Sequence, residues 1–209
     1  TRFGRGEFQI LLGTQMVAKG LDFPRVTLVG VISADSELLF PDFRAGERTF
    51  QLLTQVAGRA GRKDKEGEVV IQTYTPDHYS LFYVRSHDYE HFFKAELKDR
   101  RELDYPPFSR MINILFRGPR EEAVVRVSRQ YAEGLQPQTC FRMLGPVPAT
   151  LSKIENNFRY QILLISSKQN DPGGQKTREA VRGAMAQFKE RHRSREVQVS
   201  IDVDPTSIL

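Results

Sequence analysis

Asp104-Tyr105-Pro106-Pro107-Phe108-Ser109-Arg110 is the stretch that divides this chain into two patterns. Each proline lacks an amide hydrogen, and the first also restricts its predecessor, so no regular element runs through it. On its N-terminal side three apolar runs stand out: Phe8–Leu12 closed by Gly13, Val26–Ile32, and Glu68–Tyr74. They are continuous rather than alternating, as expected of strands in a parallel sheet covered on both faces. Between the last two, Phe50, Leu53, Val56 and Ala57 recur at helical spacing within Glu47–Ala60. Residues 1–85 are therefore expected to hold three strands of an α/β layer, too few for a complete nucleotide-binding domain. The charged stretch His87–Leu103 carries Phe92, Phe93 and Leu97 at its apolar positions and is expected to form a connecting helix over residues 86–104.

On the C-terminal side the pattern changes. Met111–Phe116 reads as a strand, and Pro119–Leu135 as a helix with Val124, Val127, Tyr131 and Leu135 on one stripe. Leu144–Ile154 and Phe158–Ser166 flank the turn residues Glu155-Asn156-Asn157. Gln175–His192 is a second amphipathic helix through Val181, Ala184, Met185 and Phe188, and Val197–Val203 a last strand. The order β-α-β-β-α-β is the split motif of an α+β ferredoxin-like domain, expected over 105–209.

With 209 residues, 39% hydrophobic and 27% charged, the chain has the composition of an ordinary globular protein. No apolar run approaches the ~20 residues of a membrane span. The single cysteine, Cys140, excludes an internal disulfide framework and a cysteine-rich zinc site, so a reducing, cytoplasmic setting is expected. Thr1 is not methionine and an apolar run follows almost at once, so the sequence is expected to continue upstream. The net charge of +5 is unevenly spread: residues 1–103 hold 15 basic and 15 acidic side chains, residues 104–209 hold 16 and 11. The excess lies wholly in the C-terminal half, consistent with a polyanion or acidic-peptide partner there or with a basic solvated surface.

Gln55-Val56-Ala57-Gly58-Arg59-Ala60-Gly61-Arg62 is the strongest chemical constellation. Arg59 and Arg62 are three residues apart, hence neighbours on one helical face, and guanidinium groups grip phosphate oxygens bidentately. Set across from a bound nucleotide they can stabilise charge developing on the γ-phosphate. Gly58 and Gly61 weaken a helix by about 1 kcal/mol each, which points to a closely approached backbone or, alternatively, to a surface Arg-Gly turn that ends the helix. The second constellation is Gly13-Thr14-Gln15-Met16-Val17-Ala18-Lys19-Gly20-Leu21-Asp22-Phe23-Pro24. Following an apolar run, it belongs at the carboxyl end of a strand, where open α/β sheets bind ligands. Thr14 can donate to a phosphate, and Asp22 can bond a ribose hydroxyl or position the arginines. On the residues alone a structural loop accounts for it equally well.

Together the two stretches resemble motifs V and VI of superfamily-2 helicases, in the right order. The intervening Ala34-Asp35-Ser36-Glu37-Leu38-Leu39-Phe40-Pro41-Asp42-Phe43-Arg44-Ala45-Gly46-Glu47-Arg48 is similar to the PriA family of replication-restart helicases. The resemblance continues through the Asp104–Arg110 junction, Phe158-Arg159-Tyr160-Gln161-Ile162-Leu163 and Asp202-Val203-Asp204-Pro205, and so spans essentially the whole chain. A RecG-like translocase, the alternative within the superfamily, would lack that junction and the ferredoxin-like domain. A non-enzymatic DNA- or protein-docking module is the alternative outside it.

The resemblance implies that residues 1–85 are the C-terminal part of a RecA-like lobe 2, with a parallel sheet. It implies an ATP-dependent, 3′-to-5′ unwinding enzyme that starts primosome assembly at stalled forks in the bacterial cytoplasm, on the nucleoid. Arg59 and Arg62 would be its catalytic arginines, Gly20, Asp22 and Gln55 would line the ATP cleft, and Thr14 and Gln15 would face the DNA. The sequence contains neither a phosphate-binding Gly-x-x-x-x-Gly-Lys-Ser/Thr loop nor an Asp-Glu-x-His box. ATP and Mg²⁺ would thus be held mainly by residues outside this chain, zinc only by an upstream region, and the chain alone is expected to lack ATPase activity.

The implied partners are forked or single-stranded DNA, other primosome proteins and the acidic tail of single-stranded DNA-binding protein. Lys176, Arg178 and Arg182 fall near where such a tail would dock. They belong to a basic set with Arg159, Lys189, Arg191, Arg193 and Arg195. Three further patterns fail on inspection. Gly173-Gly174-Gln175-Lys176-Thr177 lacks the glycine a phosphate loop needs before its lysine. His87 and His91 lack the glutamate of a zinc helix after the first histidine, so no metal site is expected. Phe158 and Tyr160 alternate on a strand and are expected in the core rather than stacked on bases.

Overall fold

The computed structural model describes residues 2–14, 23, 25–58, 60, 67–135, 139–191 and 196–208. The chain divides into two compact units, Thr1–Leu97 and Lys98–Leu209.

In the first unit, β1 (Leu28–Val31) pairs in parallel with β2 (Glu68–Ile71), Leu28 opposite Glu68 and Val31 opposite Ile71. A short helix α1 (Arg2–Arg5) precedes them, and α2 (Asp35–Leu38), α3 (Ala45–Ala57), α4 (Tyr79–Arg85) and α5 (Tyr89–Glu102) complete the described elements, α5 ending beyond the unit boundary. Of the expected stripe of α3, Phe50, Leu53 and Val56 are buried and Ala57 is half-buried; Phe50 and Leu53 join Ala34, Leu38, Leu81, Val84 and Phe92 in one core. Phe50 stacks on Phe92 with ring centroids 4.1 Å apart. The Asp35 carboxylate ties α2 to the chain leaving β2, accepting from the Thr73 and Thr75 hydroxyls at 2.9 and 3.1 Å and from the Tyr74 amide at 3.1 Å.

Two expectations fail here. Phe8–Leu12 is not a strand; Ile10 and Leu12 are 78% and 82% exposed. An apolar run becomes a strand only where a neighbouring edge takes its backbone hydrogen bonds, and no described strand pairs with this one. Nor does α3 reach Ala60. It ends at Ala57 with Gly58 as its C-cap, so Gly58 terminates the helix, and a Cβ placed on it would meet nothing closer than 3.7 Å.

Close approach is instead found at Gly46, in the first turn of α3. Tyr79 on α4 donates to Glu96 on α5 at 2.5 Å. A Cβ at Gly46 would lie 2.7 Å from that tyrosine oxygen and 3.3 Å from the Glu96 carboxylate. Three helices therefore meet at a point with room for a hydrogen and not for a methyl group.

In the second unit, four antiparallel strands lie in the order β4-β5-β3-β6: β3 (Ser109–Gly118), β4 (Arg142–Ile154), β5 (Asn157–Ser167) and β6 (Gln198–Val203). With α6 (Glu121–Gly134) and α7 (Gln175–Arg191) this is the ferredoxin-like topology. Glu155 and Asn156 both take positive φ in the β4–β5 turn, 48° and 61°, the two-residue geometry that matches strand twist. Alternate residues Ile112, Ile114 and Phe116 on β3 and Ile162 and Leu164 on β5 face the helices, burying Val124, Val127, Tyr131 and Leu135 from the α6 side and Val181 and Ala184 from α7. Tyr131 links the helices by donating to the Val181 carbonyl at 3.3 Å, and burial pushes its phenol up to about 12. Phe158 and Tyr160 pack against this core, as expected.

The start of α7 is organised by Asp171, which is 3% exposed. Its carboxylate accepts from the Thr177 amide at 3.0 Å and the Thr177 hydroxyl at 2.9 Å. This answers orphan donors of the first turn and sets a negative charge at the positive end of the helix dipole. Burial pushes the carboxyl up, but the hydrogen bonds from Thr177, Lys176 and Gln175 outweigh it and hold the group below the ordinary carboxylate range.

Two predictions follow from this architecture. Replacing glycine by alanine inside a helix ordinarily stabilises by about 0.5–1 kcal/mol. At Gly46 the sign should reverse, with Gly46→Ala lowering the urea midpoint by an amount equivalent to about 1–3 kcal/mol. A raised midpoint would show that the three-helix contact is loose. For Asp171 the folded pKa is depressed, so its contribution is full above the unfolded carboxylate value of about 3.9 and is lost as pH falls through the lower folded value. Thermal unfolding of the second unit should therefore weaken below about pH 4, and Asp171→Asn should flatten that dependence. An unchanged slope in the variant would contradict the cap.

Candidate docking groove and the nucleotide-facing segments

The sequence-predicted residues of the first unit are only partly placed. Thr14 is exposed, and so is Gln55 in the last turn of α3. Gln15, Gly20, Asp22, Arg59 and Arg62 lie outside the described residues. The described residues do not form a nucleotide site: of the expected cleft set they include Gln55 alone, without a phosphate loop.

The second unit contains a groove. Along one flank of α7, Arg178, Val181, Arg182, Met185, Ala186 and Lys189 face Ile112 of β3 and Ile201 and Val203 of β6 across a groove of about 460 Å³. Its floor is aliphatic and its cationic groups are confined to α7. Arg178, Arg182 and Lys189 recur at intervals of four and seven residues, which keeps them on one side of the helix. Two of the three expected docking residues, Arg178 and Arg182, thus line the groove. Lys176 does not; its amide turns toward Asp171 at 3.4 Å. The apolar floor was not legible in the sequence, because Ile112, Ile201 and Val203 are distant in the chain and each fits an ordinary strand pattern.

Arg178 is positioned by the turn before α7. Its guanidinium donates to the Gly173 carbonyl at 2.7 Å. Gly174 adopts φ +66°, and a Cβ there would lie 2.7 Å from Cδ of Arg110. Arg110 in turn donates to Asp204 at 2.9 Å and toward the Pro172 carbonyl at 3.4 Å, tying the start of β3, the α7 turn and the exit of β6 together. These contacts give a structural reason for the junction residue Arg110 and the terminal residue Asp204. They also dispose of the resemblance to a phosphate loop, since the helix start is already occupied by the Asp171 carboxylate.

The remaining candidates have local roles. His87 sits before α5 with φ 52°, off the helix, whereas His91 pairs with Asp88 at 2.7 Å. Cys140 is buried, and its carbonyl accepts from the Ser166 hydroxyl at 3.0 Å. Arg159, counted in the basic set, is buried and donates to the Leu151 carbonyl at 3.2 Å, so it does not contribute to an open basic surface. Among the described residues no helix is long and apolar enough to cross a membrane.

Comparison with known families places the two units separately. The helicase conserved C-terminal domain matches residues 1–64. The primosomal protein N C-terminal domain matches residues 101–206. Replication restart protein PriA of Bacillus subtilis (strain 168) is 43% identical over 210 residues, covering 99% of this chain and 25% of that protein. The protein of the same name from Synechocystis is 46% identical over 166 residues, 78% of this chain and 20% of its own length. That from Haemophilus influenzae is 40% identical over 206 residues, 98% of this chain and 27% of its own length. The chain thus spans about a quarter of the length of the B. subtilis and H. influenzae relatives. A helicase C-terminal segment followed by a ferredoxin-like primosomal domain, matched along nearly its whole length by replication restart proteins, shows that the chain belongs to the PriA family.

Proposed function

We propose that this chain is the C-terminal part of an ATP-dependent 3′-to-5′ DNA helicase that restarts stalled forks, supplying one face of the ATP cleft and a docking domain. The observation that carries the reading is the juxtaposition, in one PriA-family chain, of the Gln55–Arg62 segment with a second unit whose groove is cationic on one side and aliphatic below. ATP, with Mg²⁺, supplies the free energy for unwinding and is held mainly by residues upstream, where the family's zinc would also lie. Within this chain Arg59 and Arg62 balance charge on the phosphates, Gly20, Asp22 and Gln55 shape the cleft, and Thr14 and Gln15 meet the DNA backbone. The groove receives an acidic tail such as that of single-stranded DNA-binding protein: carboxylates meet Arg178, Arg182 and Lys189 while an apolar residue covers Ile201. DNA and other primosome proteins are the remaining partners, and the protein works at the bacterial nucleoid, in the cytoplasm.

Two experiments test this reading. In the protein extended upstream to the family's full length, DNA-stimulated ATPase should fall by about 10³-fold on Arg62→Ala, while the present chain alone should turn over no ATP. Unchanged turnover in the variant would remove the arginine from the cleft. For docking, an acidic peptide ending in an apolar residue should bind the present chain, more weakly as salt rises, and the Arg178→Glu, Arg182→Glu double variant should lose about ten-fold or more. Equal binding by the variant would exclude the groove.

A further inference from the structure

The two edges of the second unit's sheet are finished differently. At one edge, β4 contains Pro146 and Pro148, which have no amide hydrogen, and its pairing with β5 shifts register twice, between Leu144 and Val147 and between Pro148 and Lys153. Prolines and bulges are the devices by which an exposed edge is kept from pairing with another chain. At the other edge, β6 pairs with β3 without a break from Gln198 to Val203. It contains no proline, no bulge and no lysine. Among the described residues no strand pairs with its outer side. The side chains that turn toward the helices at this edge, Ile201 and Val203, are the ones that floor the groove.

We infer that the groove takes its ligand as an added β-strand: an extended acidic peptide pairs its backbone with the open edge of β6 and sets alternate apolar side chains on Ile201 and Val203. The inference rests on the docking reading above and deepens it by naming the mode of recognition. Three observations converge. Among the described residues the backbone donors and acceptors on the outer side of β6 have no strand partner, and strand addition satisfies them at once. The period of an added strand brings every second side chain to the helix-facing side, where the aliphatic floor lies. Further helix-facing residues of the same strand, beyond the apolar ones, can meet Arg178, Arg182 and Lys189, whose charge matches carboxylates. An aliphatic floor without an aromatic ring favours a peptide over single-stranded DNA, whose bases need rings to stack on. A second copy of this chain, pairing β6 with β6, would bring the same basic helices face to face.

The test uses the present chain and a fluorescent peptide whose odd positions carry valine and aspartate in turn and whose even positions carry serine, in three forms: unmodified, N-methylated at the odd-position amides, and N-methylated at the even-position amides. In a strand, neighbouring residues direct their amides to opposite edges, so whichever way the peptide runs, one methylated set faces β6 and the other faces solvent. Anisotropy titration should show one methylated form weakened by about ten-fold or more and the other within about two-fold of the unmodified peptide. Loss with both forms or with neither would overturn strand addition while leaving groove docking standing. Failure of the unmodified peptide to bind would overturn both. Sedimentation showing that the chain self-associates and releases peptide as it does so would assign the edge to a second copy and overturn the proposal. Displacement by a single-stranded oligonucleotide that binds more tightly than the peptide would assign the groove to DNA, with the same consequence.

Discussion

A buried carboxylate fixes where the second helix of the second unit begins. Asp171 lies under the first turn of α7 and accepts hydrogen bonds from both the amide and the hydroxyl of Thr177. A charge out of water is tolerated only when it is fully partnered, so this contact sets where the helix begins. From that start follow the positions of Arg178 and Arg182, one and two turns along, and of Lys189 near the end. The turn that delivers Asp171 is held by Arg110, which bridges Pro172 and Asp204, and by a glycine whose φ of +66° leaves room for that arginine. Residues from the junction, the α7 turn and the exit of β6 thus meet in one clasp at the mouth of the groove.

Part of the positive charge of the C-terminal half is taken up within the fold. Arg159 is spent inside the fold on the Leu151 carbonyl, and Arg110 on Asp204. What remains open along α7 stands beside aliphatic side chains, a pairing that suits a ligand both anionic and apolar. A surface designed only to track a phosphate backbone has no use for a floor of Ile112, Ile201 and Val203.

Much of the fold was legible in the sequence where a periodic pattern is answered within the same unit. The stripe Val124, Val127, Tyr131 and Leu135 is buried throughout, and the Glu155-Asn156 turn sits where two strand patterns meet. The Phe8–Leu12 run failed because a strand is a property of two segments, and its pattern says nothing of whether a partner edge exists. Helix α4 escaped notice because its N-cap is His78, whose ring nitrogen accepts from the Ser80 amide at 3.2 Å in place of the usual serine or aspartate. Gly58, weighed as a site of close approach or as the end of a helix, is the C-cap of α3; a Cβ on Gly46, unremarked in the sequence, would lie 2.7 Å from the Tyr79 oxygen. For the groove, Arg178 and Arg182 were expected from the family resemblance, whereas the floor depends on the register of β6 against β3, which composition does not encode.

The central claim is that the flank between α7 and β6 is the receiving surface of this domain. Methyl chemical-shift mapping on the present chain, titrated with an acidic peptide ending in an apolar residue, tests it directly. The account predicts shifts concentrated at Ile112, Val181, Met185, Ile201 and Val203. Shifts centred instead on the β4 edge, at Leu144, Val147 and Leu151, would contradict it.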